Sequence, residues 1–190
     1  MTRIPSTAHL ALAVLVTAFG GASIATQQPG QGRATPPPPV PPQYAFLYDE
    51  GITREDTWNA ARKTLPYESI SLARRGCFGT CPVYSVTIRA DGGATYTGER
   101  NATRIGTYSG RTYFGDFAQL AMFIERSGFM KLSDRYTAPH TDDETVVVTV
   151  VMRDGTTKTV SDYGRYGPPD LWILERAIDG VIEEMKWTSG

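Results

Sequence analysis

From Val83 onward the chain alternates between β-branched or aromatic residues and small polar ones. The run Val83-Tyr84-Ser85-Val86-Thr87-Ile88 is followed by Asp91-Gly92 and then by Ala94-Thr95-Tyr96-Thr97. A period of two marks a strand with one buried face. Asp-Gly supplies the positive backbone angles of a tight turn, so the stretch predicts a β-hairpin. The arrangement returns at Thr145–Met152, Asp154-Gly155 and Thr156–Val160. Valines fall on both alternations of the first of these segments, which predicts a central strand covered on both sides or nearly so. Two further strands are expected, at Ile70 to Arg74 and at Arg104 to Tyr108.

Each hairpin leads into helical spacing. Phe117, Leu120, Ala121 and Ile124 share one helix face, and Gly128 stands where a helix stop belongs. Leu171, Leu174, Ile178, Val181, Ile182 and Met185 form one long apolar stripe. Pro168 and Pro169 suit its start, and Asp170 suits the positive end of its dipole. Gly180 inside this helix costs up to about 1 kcal/mol against Ala and is expected to mark close packing on a neighbour. A short leading helix is expected from Thr53-Arg54-Glu55-Asp56, with Trp58, Ala61 and Leu65 as its apolar face. The predicted architecture is α+β: an antiparallel sheet of four to six strands with two main helices packed on one face. The order hairpin, helix, hairpin, helix suggests a duplicated unit.

The amino terminus reads differently. Arg3, an apolar run from Ala8 to Phe19, and Ser23-Ile24-Ala25 are the three parts of a secretory signal, with cleavage expected after Ala25. The rival reading is a retained anchor, but the run falls short of the roughly 20 residues needed to span a bilayer. Residues 26–43 are rich in Pro, Gly and Gln and behave as a stiff, disordered linker. The expected organisation is a signal over 1–25, the linker over 26–43 and a single domain over 44–187. The mature chain is expected in the periplasm or outside the cell, with no transmembrane span. With 19 basic and 20 acidic residues, the chain lacks the basic excess of a nucleic-acid binder.

Cys77 and Cys81 are the chain's two cysteines, spelled Arg75-Gly76-Cys77-Phe78-Gly79-Thr80-Cys81-Pro82. They fall between two predicted strands. In an oxidising compartment they are expected to form a disulfide across the turn. The closed ring is small, so chain entropy supplies only about 2 kcal/mol. Thiol–disulfide exchange is the sharper alternative, but redox enzymes place the reactive Cys at a helix amino terminus, and a strand pattern follows Cys81. The Cys-x3-Cys-Pro spelling also superficially resembles copper-delivery proteins of thioredoxin fold. Their motif opens a helix and works with a distant His, and two sulfurs with one His do not complete a four-ligand site.

The stretch from Ile70 to Tyr84, then Asp91-Gly92 and Tyr96-x-Gly98, resembles a group of exported bacterial domains of unknown function. The resemblance extends through Trp187. It implies the domain boundaries and no activity, ligand or catalytic residue.

Other chemistry is sparse. His140, Asp142 and Asp143 are the one candidate cation cluster, but the calcium-loop spacing is missing, which favours a solvated loop. No Gly-x-Ser-x-Gly and no phosphate-cradling loop occurs, so no catalytic residue and no cofactor is assigned. Tyrosine and arginine are the surplus. Tyr108, Arg111, Tyr113, Tyr163, Arg165 and Tyr166 lie near predicted loops and strand ends, and Tyr with Arg anchors many interfaces. The expected function is an exported, non-enzymatic domain that binds a protein, peptide or envelope component. The alternative is a periplasmic thiol-active or other enzyme using Cys77 and Cys81.

Overall fold

The computed structural model describes residues 42–43 and 63–190. The expected signal, nearly all of the linker and most of the leading helix lie outside the described residues. Among the described residues, eight strands form one sheet: β1 (Tyr67–Arg75), β2 (Val83–Arg89), β3 (Gly93–Arg100), β4 (Gly106–Arg111), β5 (Arg135–Thr137), β6 (Thr145–Met152), β7 (Thr157–Tyr163) and β8 (Lys186–Ser189). Their spatial order is β5-β7-β6-β1-β2-β3-β4-β8. Among the described residues, two long helices pack with the sheet, α1 (Phe114–Arg126) and α2 (Pro169–Glu184).

The class is α+β with two main helices, as the pattern predicts, but the sheet is larger than four to six strands. It is not purely antiparallel either, because β5 runs parallel to β7. The additional strands, β5 and β8, are three and four residues long. Such lengths are too short for a period of two to register. The hairpin, helix, hairpin, helix order is present along the chain, with β4 inserted before α1 and β5 between α1 and the second hairpin.

Both Asp-Gly pairs make hairpin turns, and the two residues divide the task. Only the glycines take positive φ, 85° at Gly92 and 87° at Gly155. The aspartates instead accept backbone N–H groups: Asp91 from Gly93 at 2.7 Å and Asp154 from Thr156 at 2.8 Å. The Asx acceptor and the left-handed glycine together close each turn. At α1, the Asp116 carboxylate accepts the Tyr113 N–H at 3.2 Å and the Thr112 hydroxyl at 2.8 Å. This satisfies donors that the first helical turn leaves without partners. Gly128, with φ 62°, ends the helical run.

One face of the sheet and both helices share a single core. Ile70, Leu72, Val86, Ile88, Val148 and Val150 meet Phe117, Leu120 and Ile124 of α1 and Leu171, Leu174 and Ile178 of α2. The valine-rich β6 is covered on one side only. Val146, Val148 and Val150 are buried, whereas Val147 and Val151 are half-buried, because the opposite face of the sheet is a field of hydroxyls. Thr159, Thr149, Ser71, Thr87, Thr95 and Ser109 are neighbours in register across six strands. Ser71 bonds Thr87, and Thr149 bonds Thr159, each at 3.0 Å. The packing expected at Gly180 is absent: a Cβ there would meet no atom within 4 Å.

Candidate functional site

Strand directions bring four loops to one end of the sheet. β1 and β7 run the same way, since each pairs antiparallel with β6. β3 shares that direction through β2, and β5 through its parallel pairing with β7. These four strands finish where β2, β4 and β6 begin. The segments 76–82, 101–105, 138–144 and 164–168 therefore gather at this upper end, and α2 starts there.

Just inside the upper end, a row of inward-facing positions carries charge. Asp162, Val146, Arg74 and Tyr84 are consecutive partners across β7, β6, β1 and β2. Arg74 is buried, and its guanidinium meets Glu144 at 3.0 Å and Asp179 of α2 at 2.5 Å. The Tyr84 hydroxyl donates to Asp179 at 2.6 Å and accepts from Arg74 Nε at 3.1 Å. Burial alone would disfavour the Arg74 charge, but the hydrogen bond and charge of Asp179, then the charge of Glu144, raise its affinity for the proton. Burial first, then the bond to Asp179, pushes the Tyr84 phenol up, so it remains a donor. The result is a clamp between α2 and the ends of β1 and β2.

Asp162 and Glu175 extend the row toward β7. Asp162 is 1 % exposed. Its carboxylate accepts the backbone N–H groups of Tyr166 at 2.8 Å and Gly167 at 2.9 Å, and the Trp172 indole at 3.0 Å. These bonds hold a strained bend, in which Gly164 and Arg165 have φ 67° and 53°. A left-handed arginine is uncommon and is kept only where the surroundings demand it. Glu175 is 4 % exposed, and its Oε1 has no hydrogen-bond partner among the described residues. Burial, followed by the charge of Asp162, pushes its carboxyl up to about 8, with Arg74 offsetting part of the effect and Asp179 and Glu144 adding to it. Glu175 therefore carries a proton at neutral pH, a neutral acid inside a charged cluster.

Cys77 and Cys81 are joined by a disulfide, with Cα atoms 5.6 Å apart. The bridge closes the turn between Arg74 and Tyr84, so the loop stands directly above the clamp. Its tip, Phe78, is 90 % exposed. The Asn101 side chain donates to the Cys81 carbonyl at 3.4 Å, joining the β3–β4 segment to this loop.

The six tyrosine and arginine candidates divide between two places. Tyr163, Arg165 and Tyr166 lie at the upper end. There the Tyr163 hydroxyl accepts the Asp143 N–H at 3.3 Å, and Arg165 approaches Glu144 at 3.6 Å. Tyr108, Arg111 and Tyr113 lie on β4 and just beyond it, across four intervening strands. Arg111 and Tyr113 are at the lower end, because β4 runs opposite to β7. Tyr108 is half-buried and packs edge-on against Tyr96 at 6.3 Å. His140 and Asp143 pair at 3.2 Å, and His140 lies 6.1 Å from the Tyr163 ring. Asp142 instead takes the Thr141 hydroxyl at 3.3 Å. Among the described residues, no group of three His, Cys, Asp or Glu is placed to hold a metal ion. Among them, too, no helix is long and apolar enough to cross a membrane.

Residues 68–182 match a family model described as Domain of unknown function (DUF6438). The match spans more than half of the chain and takes in the disulfide loop and every residue of the polar row. No curated protein matches the chain.

Proposed function

The chain belongs to the DUF6438 family, a domain of unknown function, and we propose that it is an exported, non-enzymatic binding domain that docks a protein, peptide or envelope component through the upper end of its sheet. One observation carries this reading. Six large apolar or aromatic side chains are exposed among the described residues: Phe78, Ile105, Tyr113, Tyr166, Trp172 and Ile173. All but Tyr113 belong to the upper loops or to the first turns of α2, which starts beside them. Scattered surface apolar residues are ordinary, but a set gathered at one end of a domain marks an interaction surface.

The groups beneath support presentation rather than turnover. Arg74 is engaged by Asp179, Glu144 and Tyr84. Asp162 is saturated by the loop that it shapes. The disulfide loop runs into β2 at Val83, whereas a redox-active cysteine draws its reactivity from the start of a helix.

The reading is tested by placing a photo-crosslinking amino acid at Phe78, Tyr166 or Tyr113 in the full chain inside cells. Adducts are expected from positions 78 and 166 and not from 113. Equal labelling from Tyr113, or no adduct from either upper position, overturns it.

A further inference from the structure

The upper end is not uniform in charge. At the corner made by the 76–82 and 101–105 segments stand Arg75, Arg100 and Arg104, with Glu99 as the nearby carboxylate. The opposite corner carries exposed Asp142, and Asp143 paired with His140, while Glu144 there is buried between Arg74 and Arg165. Arg75 and Arg100 are exposed and are the last residues of β1 and β3, whereas Arg104, in the following loop, is half-buried near the Tyr96 phenol. Arg75, Arg100 and Arg104 form no ion pair among the described residues, as is true also of Arg111, Arg126, Arg135 and Arg176; what sets these three apart is that they lie together at one corner. Arg100 lies against the disulfide loop, since a Cβ on Gly76 would fall 2.4 Å from its guanidinium. With the Asn101 bond to Cys81, this makes the two segments one continuous patch. Phe78 and Ile105 project from it, with Ile105 58 % exposed. The loops are two strand spacings apart, roughly 10 Å.

We infer that this corner docks on an anionic lipid surface, with Phe78 and Ile105 entering the headgroup layer and the three arginines resting on lipid phosphates. This deepens the binding reading above and rests on it. Phe78 is a nearly free apolar tip on a short ring closed by the disulfide, so little chain entropy is left to lose when it inserts. The arginines at the strand ends are set back from that tip, the order in which a bilayer presents phosphate outside and hydrocarbon within. Arginine on phosphate also gains paired hydrogen bonds. The acidic opposite corner is repelled by the same surface, which fixes a tilted approach. An acidic protein segment answers the arginines equally well. It does not call for a lone aromatic standing clear of the domain, and this favours lipid.

The test is co-sedimentation of the full chain with vesicles of phosphatidylcholine alone or mixed with phosphatidylglycerol. The wild type is expected to partition more strongly onto the mixed vesicles than onto the neutral ones, and added salt is expected to remove that difference. Replacing Arg75, Arg100 or Arg104 with Gln should each lower the partition about fivefold, and Phe78→Ser about tenfold. Asp142→Asn with Asp143→Asn should not weaken binding. Every variant keeps the same amino-terminal apolar stretch, so differences among them report the corner. Equal partition on neutral vesicles, or variants that bind like the wild type, overturns the proposal. So does binding to polyglutamate without binding to vesicles, which assigns the corner to an acidic protein. Protein adducts from Phe78 with no vesicle binding would overturn lipid docking and leave the binding domain standing. Absence of both would overturn the two together.

Discussion

Replacing Glu175 with Gln should remove a pH dependence that the fold imposes on itself. The ordinary carboxyl value is 4.5, and in the folded chain burial and neighbouring carboxylates push Glu175 up to about 8. Below 4.5 both folded and unfolded chains hold the proton, and stability does not depend on it. Between 4.5 and about 8 only the unfolded chain releases it, so unfolding gains about 1.4 kcal/mol for each pH unit climbed. The total loss across the window is roughly 4–5 kcal/mol, and above about 8 the slope from this residue vanishes. Stability therefore falls as pH rises, opposite in sign to the usual salt-bridged carboxylate. Gln has the shape of the protonated acid and cannot ionise. Glu175→Gln should be more stable than the wild type by about 3 kcal/mol at neutral pH and about equal to it near pH 4.5. Urea unfolding followed by tryptophan fluorescence, at several pH values between 5 and 8, measures the difference. Subtracting the variant from the wild type removes the common contributions of Asp143 and Asp154, both held below the ordinary carboxyl value chiefly by backbone N–H groups. Parallel stability curves for the two proteins would refute the placement of a neutral acid in this cluster.

Two other changes probe the same end of the sheet. Arg74→Met should cost about 3–5 kcal/mol, because Asp179 and Glu144 would be left as buried charges without a cation; urea midpoints check it. Cys77→Ser with Cys81→Ser should cost only about 2 kcal/mol and leave a folded domain, read as a modest drop in melting temperature that reductant reproduces in the wild type.

Long elements with clear periodicity were legible. β1 to β3, β6 and β7 come from segments in which buried positions alternate with more exposed ones, and both helices from stripes such as Leu171, Leu174 and Ile178; β4, which has no buried residue, lies at Gly106–Arg111 and not at the expected Arg104 to Tyr108. β5 and β8 were not, because three or four residues carry no period. The clamp was half legible. Arg74 occupies the inward parity of Ile70 and Leu72, Tyr84 that of Val86 and Ile88, and Asp162 that of Val160. Glu175 lies four residues past Leu171 and three before Ile178, on the apolar stripe of α2. A charge at an inward position is the available signal, and it goes unread when titratable residues are sought only in loops. The partners were beyond reach, since Arg74 and Asp179 are 105 residues apart in sequence. Tyrosine surplus is a different kind of signal, blind to strand direction. Tyr108 fills a strand position beside Tyr96, and Tyr113 precedes α1 at the far end, so composition grouped residues that strand direction separates.

The relative strengths of the two devices at the upper end decide what each is for. The disulfide closes a ring too small to contribute more than about 2 kcal/mol of unfolded-state entropy. The Arg74 clamp, whose disruption exposes uncompensated buried charge, is worth more than that to break. It also joins elements far apart in the chain, β1, β2, the segment before β6, and α2. The clamp therefore holds the end of the sheet together, while the disulfide governs only what lies beyond it, the loop that carries Phe78. Reduction of Cys77–Cys81 should then release the tip while the strands and α2 stay in place. If the proposed docking surface is right, a redox change alters docking through this loop without altering the fold.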